Sequence, residues 1–326
     1  MIDSITEVIE HSYGKATSIE DYCWKAQLLQ YETNRGMFEA WGRNKYNATG
    51  IISWMGNSAW PSLQWQLFDY YLMPGGAYFG TKKACEPLHV QYSYDDDSIC
   101  VVNSYYQSFE NLKVTARIYN LDMAEKYFKS AVINIKPDSS NKAFTIDWPK
   151  DLTKTHFLKL ELRDGADNLV SSNFYWLSTD DLPVSSDLRD LFEVDLDISY
   201  TVEKKGDTYV VYIDFKNPSS GLAFAINPEV KRSVSGDLVL PIYWEDNYLS
   251  LLPGEKRRVR VEFRKEDLEG EEPLLVIGGW NIKNEEMVLS IHSLSNSSLV
   301  LLNSSGSDER QLSPTRREEL YPNFLY

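Results

Sequence analysis

Leu88-His89-Val90-Gln91-Tyr92, then Asp95-Asp96-Asp97-Ser98, then Ile99-Cys100-Val101-Val102-Asn103 is the stretch whose reading decides the fold. Apolar residues at alternate positions turn one face of an extended chain toward a core. The acidic cluster between the two runs reads as a turn tip, where like charges stay solvated. A β-hairpin is therefore predicted. The period of two continues downstream through Val114-Thr115-Ala116-Arg117-Ile118-Tyr119 and residues 131–135, 144–146, 157–162 and 173–177.

Seven short strands within about 90 residues are the pattern of an immunoglobulin-like sandwich, predicted here for residues 87–179. The cysteine pair and strand-C tryptophan of antibody domains are absent, so only the architecture follows. An acidic linker is read over 180–191. A second series then begins, with strands predicted at 195–200, 208–215, 224–226, 239–244, 258–263 and 274–277. Leu252-Pro253-Gly254-Glu255 places Pro and Gly at the two central positions that a type II turn favours. Residues 192–292 are read as a second sandwich of the same class. The Ser/Asn-rich tail, 293–326, has Leu299 to Leu302 as its one apolar run and is expected to be poorly ordered.

Residues 1–86 read differently. Ser18 and Asp21 form a near capping box. Tyr22, Ala26, Leu29, Thr33, Met37 and Ala40 then mark one stripe of a helix from about Ile19 to Arg43. Gly50-Ile51-Ile52-Ser53-Trp54 reads as a short strand buried on both faces. A second helix is expected around Leu63 to Tyr71, stopped by Pro74-Gly75-Gly76, with a last short helix over Tyr78 to Cys85. Helix, buried strand, helix is the end of an α/β repeat. The fold class is thus mainly β: two immunoglobulin-like sandwiches preceded by the last strand and helices of a (β/α)8 barrel.

The chain has 326 residues, and 33 Lys+Arg against 48 Asp+Glu leave a formal charge of −15. That balance argues against a nucleic-acid binder, which needs a basic face to displace counterions, and disfavours anionic membrane surfaces. No apolar run is long enough to span a bilayer, and no signal-peptide pattern is visible at the start. Cys23, Cys85 and Cys100 are too scattered for a disulfide framework or a zinc site and read as small buried hydrophobes.

Active-site constellations are sparse. His11, His89, His156 and His292 sit in separate segments without metal-ligand spacing and read as surface or strand-pair residues. Asp95-Asp96-Asp97 has the chemistry for calcium, but a turn tip explains it more simply. Lys256-Arg257-Arg258 reads as a solvated strand edge. Glu32 and Glu39 share a helix face, a spacing also normal for a surface. The better lead is the loop after the apolar strand, Trp54-Met55-Gly56-Asn57-Ser58-Ala59-Trp60-Pro61. Strand C-termini of an α/β barrel line its active site. Tryptophan faces stack on sugars, and an asparagine both donates to and accepts from hydroxyls. The same rings could equally pack the barrel rim against the first sandwich.

Several ordered runs carry a resemblance: Thr49-Gly50-Ile51-Ile52-Ser53-Trp54-Met55, Trp60-Pro61-Ser62, Leu67-Phe68-Asp69-Tyr70-Tyr71 and Pro74-Gly75-Gly76-Ala77-Tyr78-Phe79-Gly80. Further on, Leu240-Pro241-Ile242-Tyr243-Trp244 and Gly278-Gly279-Trp280-Asn281 continue it. The chain resembles the C-terminal part of glycoside hydrolase family 2, in particular exo-β-D-glucosaminidases and their β-mannosidase-like relatives. The resemblance implies a retaining exo-glycosidase acting on chitosan-type or mannose-containing oligosaccharides, without a cofactor, and a secreted or periplasmic compartment. It implies that the acid/base and nucleophile carboxylates lie ahead of Met1, so no catalytic residue is assigned here. Trp54, with Asn57 and Trp60, is expected to contact substrate. The partners expected are the oligosaccharide and the missing N-terminal barrel portion. The chain alone is expected to be inactive, with an exposed apolar patch around Ile51, Ile52, Trp54 and the first helix stripe. The other reading is a non-catalytic carbohydrate-binding or structural module.

Overall fold

The computed structural model describes residues 2–60, 66–180, 185–291, 300–303 and 310–311. Three helices come first: α1 (Ile2–Tyr13), α2 (Ile19–Arg43) and α3 (Gly76–Ala84). Helix α2 has the predicted bounds, and the Ser18 side chain accepts from the Asp21 N–H as its N-cap. Gly76 and Gly80, one turn apart, let α3 lie directly on α2. A Cβ at Gly76 would stand 2.0 Å from the Gln27 carbonyl oxygen, and one at Gly80 2.2 Å from that of Tyr31.

The first sandwich contains all seven predicted strands: β1 (Leu88–Ser93), β2 (Ser98–Asn103), β3 (Phe109–Asn120), β4 (Glu125–Ile135), β5 (Ser139–Thr145), β6 (Thr155–Arg163) and β7 (Leu169–Ser178). They form two sheets, ordered β1-β2-β5 and β4-β3-β6-β7. Val90, Ile99, Val101, Val114, Ile118, Leu158 and Leu160 fill the space between them. Each such side chain contributes roughly 1.5–3 kcal/mol on full burial.

The second sandwich begins with β8 (Asp197–Lys205), β9 (Thr208–Lys216) and β10 (Ala223–Arg232). It continues through β11 (Tyr243–Trp244), β12 (Leu249–Leu251), β13 (Lys256–Arg264), β14 (Pro273–Gly278) and β15 (Glu285–Val288). One sheet runs β12-β10-β14-β15. The other runs β11-β13-β9-β8 and continues into β16 (Val300–Asn303) and β17 (Arg310–Gln311). Most of the tail lies outside the described residues, but its apolar run supplies β16, which pairs antiparallel with β8. The second core reaches beyond the sandwich: Tyr13, Leu28, Tyr31 and Phe79 of the helices and Phe157 and Trp176 of the first sandwich join it. The chain is thus mainly β, two sandwiches preceded by N-terminal helices.

The structure departs from the sequence reading at several points. Residues 50–54 form no strand, and Ile52 is 91% exposed. A strand needs a neighbour for its backbone groups, and the described residues offer none there. The expected helix at 63–71 falls partly outside the described residues. Its described part is a chain of turns and bridges in which Phe68 pairs with Asn57 and Pro74. Pro74-Gly75-Gly76 stops no helix: Gly75 is the N-cap of α3. Between 239 and 244 only Tyr243–Trp244 is a strand, since Pro241 has no N–H to give a ladder. By contrast, Lys256-Arg257-Arg258 pairs with β9 alone, because β11 reaches only Val261 and Glu262 of β13, and Lys256 and Arg258 are exposed, as a solvated edge requires. Cys85 is exposed and Cys23 half-buried, leaving Cys100 as the one buried cysteine.

The side that helix α2 buries is one the sequence reading did not name. Its buried side is Lys25, Leu28, Tyr31, Asn34, Arg35 and Glu39, while Thr33, Met37 and Ala40 of the predicted stripe are exposed. Part of the apolar stripe thus faces outward, as expected, while a largely polar side meets the rest of the chain.

Candidate functional site

Trp54, Asn57 and Trp60 share one exposed loop. The two indoles are 75% and 68% exposed, and Asn57 is exposed beside them. The loop has a firm base although its tip is free. The Phe68 N–H donates to the Gly56 carbonyl (3.0 Å), and the Gly75 N–H donates to that of Leu67 (3.2 Å). The Phe68 ring lies 5.0 Å from that of Tyr78 on α3. The peptide bond between Trp54 and Met55 is cis. Two broad apolar faces and an amide with both donor and acceptor capacity are what a sugar ring requires. The one carboxylate between positions 50 and 75 is Asp69, and its Oδ1 accepts from the Met73 N–H (2.8 Å) as part of a turn.

The same face carries an apolar groove of about 630 Å³ between α1, α2 and residues 66–75, with Val8, Ile19, Leu29, Phe68, Met73 and Tyr248 among its walls. Val8 and Ile19 are about half exposed or more. Of the expected patch, Ile52, Trp54 and the Thr33, Met37 and Ala40 end of the α2 stripe are exposed, while Ile51, Tyr22, Ala26 and Leu29 are half-buried.

Beneath this surface lies a charged network that joins the helices to both sandwiches. His89 on β1 is fully buried, with its Nε2 3.0 Å from Glu39 Oε1 and its Nδ1 3.1 Å from Glu86 Oε2. Glu39 Oε1 also accepts from Asn173 Nδ2 (2.6 Å) and the Tyr175 hydroxyl (2.8 Å) on β7. Lys83 of α3 donates to Glu86 (2.7 Å) and faces Asp246 (3.5 Å), which Arg257 approaches at 3.3 Å. Burial works against the imidazolium, but hydrogen bonds to Glu39 and Glu86 prevail and hold the His89 pKa above its ordinary value. Burial likewise opposes the Glu86 carboxylate, yet Lys83 and His89 lower it to about 2. Burial pushes the Glu32 carboxyl up to about 7, partly offset by Arg35 and a hydrogen bond from Tyr13.

Glu39 corrects the sequence reading, which took its spacing from Glu32 as a normal surface pattern, and Glu32 is half-buried; His89 lies in a strand pair, one of the two places expected, opposite Val102. His156 is also buried, His11 is exposed, and His292 lies outside the described residues. Charges spaced along α2 looked solvated because hydropathy cannot report partners more than 100 residues away. At the β1–β2 tip, Arg43 holds Asp95 and Asp96, consistent with a turn. Among the described residues, no group of three His, Cys, Asp or Glu is placed to hold a metal, and no helix is long and apolar enough to cross a membrane.

Comparison with known proteins accounts for this layout. Residues 173–282 match the exo-β-D-glucosaminidase Ig-fold domain, and residues 97–179 match the mannosidase Ig/CBM-like domain. An exo-β-D-glucosaminidase of Streptomyces avermitilis is 41% identical over 295 residues. The chain is a homologue of the exo-β-D-glucosaminidases. The match covers 82% of this chain and 33% of that enzyme. The Amycolatopsis orientalis exo-β-D-glucosaminidase is 37% identical over 301 residues, 29% of its length. The crystal structure of the exo-chitosanase CsxA from that organism superposes with a TM-score of 0.83 at 34% identity, over 88% of this chain and 37% of that one. The β-D-mannosidase of Dictyoglomus thermophilum, at 20% identity and a TM-score of 0.66, shares the fold. This exo-β-D-glucosaminidase homologue thus spans about a third of the length of the curated relatives it matches.

Proposed function

We propose that this chain forms the sandwich part and one wall of the sugar pocket of a retaining exo-glycosidase of glycoside hydrolase family 2. Its substrates are chitosan-type or mannose-containing oligosaccharides. The single observation that carries the reading is the exposed Trp54–Trp60 loop beside an unfilled apolar groove. Residues 1–86 are read as the end of a (β/α)8 barrel, residues 87–179 and 192–292 as sandwiches, and 180–191 as their linker.

Retaining hydrolysis needs two carboxyl groups about 5–5.5 Å apart: one attacks the anomeric carbon while the other protonates the leaving oxygen. Asp69 is the one carboxylate between positions 50 and 75, and its turn hydrogen bond gives it a structural role. On this reading the catalytic pair is supplied by a further polypeptide, which docks on the groove and on residues 50–54. In the assembled site, the Trp54 and Trp60 faces hold the sugar and Asn57 reads a hydroxyl.

The test is reconstitution. This chain alone is expected to leave p-nitrophenyl β-D-glucosaminide and β-D-mannoside uncleaved. Mixed with the catalytic portion of a homologous enzyme, it should restore turnover of one of them. Turnover by the chain alone, or a reconstituted enzyme indifferent to Trp54→Ala, would refute the reading.

A further inference from the structure

Two tyrosines at the junction of the helices and the first sandwich stand out. Tyr46 follows α2 and is 76% exposed; Tyr106 lies between β2 and β3 and is 90% exposed. Both rings face water, yet the backbone holding each is braced.

Tyr46 adopts φ 68°, a left-handed conformation that is an outlier for a bulky residue. Its hydroxyl donates to the Asp138 carbonyl (2.9 Å) and to Asp138 Oδ2 (2.8 Å). Asp138 itself has φ 43°. The preceding residue, Lys45, donates from Nζ to Asp138 Oδ1 (2.6 Å) and to Ser104 Oγ (3.1 Å). The Asp138 N–H donates to the Tyr105 carbonyl (2.9 Å), which carries the bracing across to the Tyr106 loop. That loop is fixed in turn by Asn103, which is fully buried. Its Nδ2 donates to the carbonyls of Gln107 and Lys136, each at 2.8 Å, and its Oδ1 accepts from the Tyr105 N–H (2.9 Å).

Strained backbone that the surroundings over-determine is a mark of ligand sites. A merely structural pin would gain stability by burying its ring, and these rings are left in water. A backbone fixed before binding lowers the entropy lost when a ligand stacks on the rings it carries. The ligand chemistry follows from the groups present. Tyrosine faces accept the C–H side of a pyranose. Beside them, the Asp138 carboxylate, the Lys45 ammonium and the Ser104 hydroxyl meet ring hydroxyls and amines.

We infer that Tyr46 and Tyr106, braced by Asp138, Lys45 and Asn103, form a second oligosaccharide-binding platform that holds a distal part of a β-linked amino-sugar chain. The ligand class rests on the proposed function, whereas the site rests on the geometry above.

The experiment uses the full chain and a β-1,4-linked glucosamine tetramer, with glucosamine monomer as comparator, read by calorimetric titration. A Trp54→Ala background removes the other stacking site. Tetramer binding is expected to persist in that background and to weaken about tenfold or more in Tyr106→Ala and Tyr46→Ala, as loss of a stacked ring implies. Tyr106 is so exposed that its truncation leaves folding intact, and an unchanged thermal midpoint confirms it. No tetramer binding in the Trp54→Ala chain, or equal affinity with and without Tyr106, overturns the inference. The outcome is independent of reconstitution. A restored enzyme with an inert Tyr106 defeats this platform alone, while tetramer binding at Tyr106 without restored turnover defeats the catalytic reading alone.

Discussion

Replacing Glu39 by glutamine tests whether the buried charge network is what fixes the helices to the first sandwich. The substitution keeps shape and removes one charge. Glu39 Oε1 now serves His89, Asn173 and Tyr175 at once, 3.0, 2.6 and 2.8 Å away. At the effective dielectric of about 20 that suits protein sites, a unit pair 3 Å apart interacts by roughly 5–6 kcal/mol. Glu86 still faces the other side of the imidazole, so part of that attraction is retained. The new amide N–H2 takes the position of Oε2, a buried atom without a partner, and leaves unsatisfied donors costing about 1–3 kcal/mol. The expected net loss is about 3 kcal/mol, at the lower end of what breaking a buried pair costs. Urea denaturation followed by circular dichroism, with tryptophan fluorescence as a second probe of the separate modules, measures it.

The pH dependence supplies the second half of the test. The folded pKa of His89 lies above its unfolded value. Its contribution is therefore complete below about pH 6.5 and is lost as pH rises through the folded value. In Glu39→Gln that loss should begin at lower pH, because one of the two carboxylates favouring the proton is gone. A variant within about 0.5 kcal/mol of the parent, or an unchanged pH profile, would refute the reasoning.

Three further outcomes follow from other parts of the molecule. Gly80→Val should destabilise by about 3 kcal/mol or more in thermal unfolding, because its Cβ meets the Tyr31 carbonyl backbone rather than a movable side chain. Trp54→Ala and Trp60→Ala should change stability by less than about 0.5 kcal/mol in the isolated chain, yet raise KM in the reconstituted enzyme, since both rings face solvent. Val8→Glu with Leu29→Glu should block reconstitution and lower the fluorescence of a bound apolar dye while the sandwiches still unfold normally, because both residues line the open groove.

The sequence by itself determined both sandwiches and helix α2. Period-two alternation in runs such as Val114 to Tyr119 and residues 157–162 depends on which face meets a core, a local property of the chain. The capping pair Ser18 and Asp21 located the start of α2 for the same reason. Trp54, Asn57 and Trp60 were legible as one loop because they lie within seven residues. Only the tertiary structure decided the orientation of α2, whose Arg35 and Glu39 meet Asn173, Phe174 and Tyr175 more than 130 residues away. It also decided that residues 50–54 stay unpaired, because a strand exists only where another backbone satisfies its hydrogen bonds. Periodicity reports how much of a helix or strand is apolar; it does not report which partner arrives to neutralise a charge.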